Sequence, residues 1–196
     1  IALVAAFAPR KVNMIDFTDT LDQYISFGDL PAVRDLSKKT ISFAIVIDDF
    51  GDGSHSYGAI SKKDGTHTHG FQSYIGTSSR FVALLQYFST SDGLWTSPNN
   101  SLNTGLNFVT ITYDNASASN DPVIYINGQS VAINEVSTPS GSAASDAGYD
   151  IHVGSSVSGT YSPDGKVTDV RIYNRILSAA EVAELYNART VTANDN

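Results

Sequence analysis

Short runs of β-forming residues recur at close intervals from Met14 almost to the C-terminus, each closed off by a cluster of Gly, Asn, Asp, Ser or Pro. That spacing leaves little room for the strand-helix alternation of a parallel sheet, and it points to an antiparallel sandwich or barrel. The clearest runs are Tyr24 to Phe27, Thr40 to Asp48, Tyr57 to Ser61, Phe71 to Ile75, Arg80 to Phe88 and Phe108 to Tyr113. In the last of these, Phe108, Thr110 and Thr112 share one face and Val109, Ile111 and Tyr113 the other, which predicts a half-buried strand. Val123 to Ile126 runs into Asn127-Gly128, a pair suited to the positive φ angles of a type I′ turn, with Ser130 to Ile133 returning as its partner. Tyr149 to Val153 and Lys166 to Tyr173 read as two further strands, and Ile1 to Ala8 as a first one, too short to span a bilayer. Ser137 to Gly148, rich in Ser, Ala and Gly, reads as a mobile loop.

One helix is expected. In Ser178-Ala-Ala-Glu181 the serine can cap a backbone amide while the glutamate reaches back, and Leu177 with Val182 supplies a hydrophobic staple. The pattern predicts a short helix over 179–187, packing on the sandwich through Val182, Leu185 and Tyr186.

The closing segment, Gly165-Lys-Val-Thr-Asp169-Val-Arg-Ile-Tyr-Asn-Arg175-Ile-Leu-Ser-Ala-Ala-Glu-Val-Ala-Glu-Leu-Tyr-Asn187, resembles the C-terminal signature of the concanavalin A-like, laminin G-like jelly-roll superfamily. Further matches precede it in order: Ile15-Asp-Phe with Asp22-Gln-Tyr-Ile, Thr40-Ile-Ser-Phe, Ile60-Ser-Lys-Lys-Asp64-Gly, Val109-Thr-Ile-Thr-Tyr-Asp114, Ile124-Tyr-Ile-Asn-Gly128 and Ile151-His-Val-Gly154. Leu106 stands where many members have a Trp, and Thr168 where they often have the first of two acids. The resemblance implies an all-β, two-sheet antiparallel jelly-roll sandwich with one short C-terminal helix, a single domain over 1–196 with its core at about 14–187. It also implies a ligand set by the loops and the concave face. Such domains frequently carry a structural calcium ion, and the carry-over places Asp169 at it, with Asp22 as a second ligand. Asp169 could equally pair with Arg171 on the same face.

Several chemistries are set aside by residue type. A formal charge of −8 disfavours nucleic acid, whose binding needs clustered Lys and Arg. There is no cysteine, hence no thiolate site or disulfide. Glycosidases need two positioned carboxylates, yet the only glutamates are Glu135, Glu181 and Glu184, and the Glu-x-Asp-x-x-Glu strand that jelly-roll glucanases resemble one another in is missing. Asp48 and Asp49 are adjacent, so on a strand they would face opposite sides. The Gln-x-His strand of jelly-roll lyases is also missing. His67 and His69 could share one side of a strand and, with His55, ligate Zn or Cu, or they are exposed loop residues.

Sugar rings stack on flat aromatic faces while Asn, Asp and Gln take the hydroxyls. Trp95, the single tryptophan, is either such a platform or a core residue, and Tyr74, Tyr87 and Tyr161 offer further platforms. The expected function is a non-catalytic glycan-binding or adhesion module of a bacterial or phage surface protein, located outside the cell or on a virion. Its partner would be a glycan or a surface protein, without membrane insertion. The alternative is a structural component such as a virion decoration, tail or filament protein, with neighbouring copies as partners.

Overall fold

Alternation along Lys38–Ile47 decides the layers. Ile41, Phe43, Ile45 and Ile47 are all fully buried and belong to one core cluster, so this strand turns its odd-numbered residues to the interior. In the computed structural model, which describes residues 3–6, 15–17, 23–51, 53, 56–155 and 162–194, fourteen strands form two antiparallel sheets. The strands are β1 Leu3–Ala6, β2 Ile15–Phe17, β3 Tyr24–Ser26, β4 Lys38–Ile47, β5 Ser56–Lys63, β6 Gly70–Gly76 and β7 Phe81–Gln86. They continue with β8 Gly93–Thr96, β9 Gly105–Asp114, β10 Val123–Ile126, β11 Gln129–Val131, β12 Asn134–Ser137, β13 Ile151–Gly154 and β14 Gly165–Tyr173, followed by helix α1, Ala179–Asn194. The first sheet runs β1-β14-β4-β9-β10-β11 with β2 also on β14; the second runs β12-β8-β7-β6-β5-β13-β3.

The core fills the space between them. Val109, Ile111 and Tyr113 of β9 lie beside the β4 residues, and Tyr57, Ile60, Phe71, Ile75, Val82, Leu84, Trp95, Ile151 and Val153 come from the second sheet. On β14 the register shifts between Thr168 and Arg171, and Asp169 sits at φ 51°. This bulge places Val167, Val170 and Ile172 all in the core, which strict alternation would forbid.

The predicted half-buried β9 is buried on both faces. Phe108 stacks on Tyr186 of α1 at a centroid separation of 6.0 Å, and Thr110 and Thr112 are buried as well. The helix closes this outer face through Tyr125, Tyr173, Leu177 and Val182, which form a second apolar cluster. It starts where the capping pattern places it: Glu181 N–H donates to Ser178 Oγ at 3.3 Å, and Ser178 N–H donates to Glu181 Oε2 at 2.9 Å. Its end lies beyond the expected 187. The Asn127-Gly128 turn has φ 51° and 79°, and a Cβ at Gly128 would meet the Tyr186 ring at 3.0 Å.

Residues 137–148 are not a free loop. Ser140 and Ser91 exchange backbone bonds of 2.9 and 3.2 Å, Ser89 N–H donates to Ser142 O at 2.9 Å, and Ala144 N–H donates to Tyr87 O at 2.9 Å. The cluster of small polar residues mimics a linker, but these bonds tie it across the end of the second sheet.

Candidate functional site

The pairing of the second sheet sets out two faces. Ile60, Leu84 and Trp95 point to the core, so their strand neighbours point outward. One outward row reads Ser26–His152–Ser61–Gln72–Leu85–Leu94 from strand to strand, and the next carries Tyr74, Ala83, Thr96 and Asn134. The rim residues Tyr24, Ser26 and Asn134 are exposed, Tyr74, Leu85 and Leu94 are half-buried, and Ser61, Gln72 and His152 form a buried floor. Among the described residues no helix or strand is left to cover this face, since α1 lies on the first sheet.

Ser61 and His152 are directly paired across β5 and β13. They are 1% and 5% exposed, yet Ser61 Oγ and His152 Nδ1 have no hydrogen-bond partner. The His152 ring meets Tyr24 edge-on at 4.7 Å. Burial pushes the imidazole below its ordinary pKa, with Asp150 opposing and Lys63 adding to the shift, so His152 is neutral at pH 7 and can both donate and accept. Polar floor residues beside the apolar Leu85, Leu94 and Ala83 suit a ligand that presents hydroxyls and C–H groups together.

A cleft of about 420 Å³ lies where the β5–β6 turn meets the β7–β8 loop, lined by His67, Thr68, His69, Phe88, Ser89, Thr90, Asp92 and Ala144. Asp64 organises it, accepting from Thr66 Oγ1, Thr68 N–H, Thr68 Oγ1 and His69 N–H, and lying 3.3 Å from His69 Nδ1. Burial works against its ionisation, but these bonds outweigh it and hold the carboxyl well below the usual range. His67 and His69 thus sit on a turn, with His67 at φ 62°, and not on one side of a strand. His55 lies outside the described residues, and among the described residues no group of three or more His, Cys, Asp or Glu side chains could hold a metal.

Among the described aromatic residues singled out from sequence, only Tyr74 lies on the outer face with part of its ring accessible, edge-on to Phe81 at 6.4 Å. Trp95 is completely buried: its ring lies 5.0 Å from Tyr113 and its Nε1–H donates to Asp121 Oδ1 at 2.9 Å, so it offers no face to a ligand. The platform reading of Trp95 is corrected to the core one. Tyr87 is buried too, its hydroxyl without a partner; burial, with Asp92, Asp64 and Tyr74 nearby, pushes it up to about 12. It presents no platform. Tyr161 lies outside the described residues.

Asp22, the second expected calcium ligand, also lies outside them. Asp169 is paired with Arg171, whose Nε donates to its Oδ1 at 2.7 Å and whose Nη2 donates to its Oδ2 at 3.2 Å, the alternative that the sequence left open. The residues that sequence reading missed are Ser61, Gln72 and His152. Ser61 and His152 occur within quoted family matches, but their meeting depends on a long-range strand pairing.

The sequence matches a family model described as the concanavalin A-like lectin/glucanases superfamily over residues 18–183. A search of curated proteins finds no match. Among solved structures, the Ruminococcus gnavus IT-sialidase CBM40 superposes with a TM-score of 0.69 at 14% identity, covering 94% of this chain and 99% of that one. The same module bound to alpha2,3 sialyllactose gives 0.70 at 16% identity, covering 94% and 98%. The binding domain of Botulinum neurotoxin DC in complex with rat synaptotagmin II gives 0.66 at 17% identity, covering 96% of this chain and 46% of that one. At such identities these likenesses establish a shared fold.

Proposed function

Since the chain belongs to the concanavalin A-like lectin/glucanases superfamily, we propose that it is a non-catalytic glycan-binding or adhesion module, with the outer face of the second sheet as its site and a bacterial or phage surface as its setting. The observation that carries this reading is the facing pair Ser61 and His152, both buried and both with an unpartnered polar atom. An unsatisfied buried polar group costs about 1–3 kcal/mol, and a sugar hydroxyl, donor and acceptor at once, would relieve it when the Tyr24 ring that packs edge-on against His152 swings aside. Three of the other unpartnered hydroxyls have a different setting. Ser42 and Thr110 share the outer face of the first sheet with Tyr125, which α1 closes, and Tyr113 lies in the core.

The structural neighbours support the same class of partner, for one is a sialidase CBM40 bound to sialyllactose and another a toxin binding domain in complex with the protein synaptotagmin II. The acids support a binding role over glycoside cleavage. Asp48 and Asp49 are exposed, Asp48 lying 3.5 Å from Lys166 and Asp49 accepting from Gly51 N–H. Glu135 lies on the edge strand β12, and Glu181 and Glu184 on α1. A glycan array combined with light scattering tests the reading. Sugar binding by a monomer is expected; obligate assembly without any sugar bound would favour a structural subunit instead.

A further inference from the structure

Among the described residues, a set of oxygen donors that would suit a cation converges at the end of the sandwich where the segments before β4 and β13 meet. Lys62 enters it from β5 with a side chain that is completely buried. Its Nζ donates to Asp29 Oδ1 at 2.8 Å, to the carbonyl oxygen of Asp146 at 2.8 Å and to that of Tyr149 at 2.6 Å. Asp146 Oδ1 lies 3.6 Å away. Three acceptors satisfy the three N–H bonds of an ammonium.

Two carboxylates and two backbone carbonyls converging on one point are also what a calcium ion takes, at about 2.3–2.6 Å, with waters completing six to eight ligands. The cage is held from outside as well. Gly148 N–H donates to Asp29 Oδ2 at 2.8 Å, and Arg34 pairs with the same oxygen at 2.7 Å. Asp35 N–H donates to Asp146 Oδ1 at 2.9 Å. The oxygens would therefore stay converged if the ammonium were removed.

We propose that Lys62 is a built-in cation: its ammonium fills a preformed oxygen cage and ties the 29–35 and 146–149 segments to β5 without a metal, so that removing the side chain exposes a divalent-cation site. A truncating substitution leaves Asp29 with Arg34 alone and Asp146 without the Lys62 ammonium, together with the space of a lysine side chain, and calcium can supply the missing charge. An apolar residue of the same length removes the charge and keeps the space filled.

The test measures melting temperatures of the wild type, Lys62→Ala and Lys62→Met in EDTA and in millimolar calcium chloride, with calcium titrated calorimetrically into each. The wild type is expected to melt at one temperature in both buffers and to bind no calcium at the cage. K62A should melt lower in EDTA, rise by about 5 °C or more with calcium and bind one ion; K62M should melt lower in both. A K62A protein that neither binds calcium nor regains stability overturns the proposal, as does a wild type that loses stability in EDTA. If K62A is recovered only as aggregate, it is refolded from urea with and without calcium: recovery with calcium alone supports the built-in cation, and recovery in neither buffer overturns it.

Discussion

Asp35 and Asp146 clasp each other, the backbone N–H of each donating to Oδ1 of the other at 2.9 Å. Asp35 also accepts from the Ser145 hydroxyl at 2.8 Å and holds φ 49°, a conformation that Asp tolerates better than most residues. The clasp joins the chain entering β4 to the segment leading into β13, and so fixes one side of the Lys62 cage. Asp35→Ala removes two accepted bonds and is expected to cost about 1–3 kcal/mol. Because the two aspartates act as one unit, the double variant with Asp146→Ala should lose less than the sum of the single losses. Urea melts of the three variants check this; strict additivity would mean that the clasp is not cooperative.

Acid should weaken the helix closure. Arg175 bonds both carboxylate oxygens of Glu181 at 2.9 and 2.6 Å, and together with the cap bonds from Ser178 it lowers the glutamate to about 2. A carboxyl depressed in the folded state stabilises fully above its ordinary value of 4.5, and that contribution disappears as pH falls through about 2. Asp29 is lowered to about 2 by Lys62 and Arg34, with the same sign. The melting temperature is therefore expected to fall between about pH 5 and pH 2, and to fall less steeply in Arg175→Ala. An identical slope in that variant would remove the ion pair from the account.

Trp95 gives an optical check. Its ring fills the place where a side chain at position 93 would go, since a Cβ on Gly93 would overlap it. Trp95→Ala is expected to cost about 3–5 kcal/mol. The wild-type emission should be blue-shifted, resistant to aqueous quenchers and unchanged on adding a bound glycan; an emission that shifts with ligand would place Trp95 at the site after all.

What was legible in the sequence was local. The Asn127-Gly128 turn, the Ser178–Glu181 capping box and the alternation of β4 depend on neighbouring residues, and each appears where its pattern puts it. The burial of β9 on both faces depends on Tyr186 lying over Phe108, a contact that alternation cannot report. Strands β8 and β12 are four residues each and carry Gly93 or the polar Asn134 and Glu135, so propensity alone passes over them. The Ser61–His152 pair arises from β5 meeting β13 across the sheet, and alternation tells which residues share a face without telling which face stays open.

The most direct measurement of the central claim is a glycan array that includes 3′- and 6′-sialyllactose, run side by side with the wild type and with the Gln72→Ala/His152→Ala variant, whose retained fold is confirmed by its melting transition. These substitutions strip the floor of the outer face and leave the core between the sheets untouched. The wild type is expected to retain at least one glycan and the variant to lose it by about tenfold or more, as the loss of buried polar contacts implies. Equal binding by both proteins, or no glycan held by the wild type, would contradict the outer face of the second sheet as a glycan site.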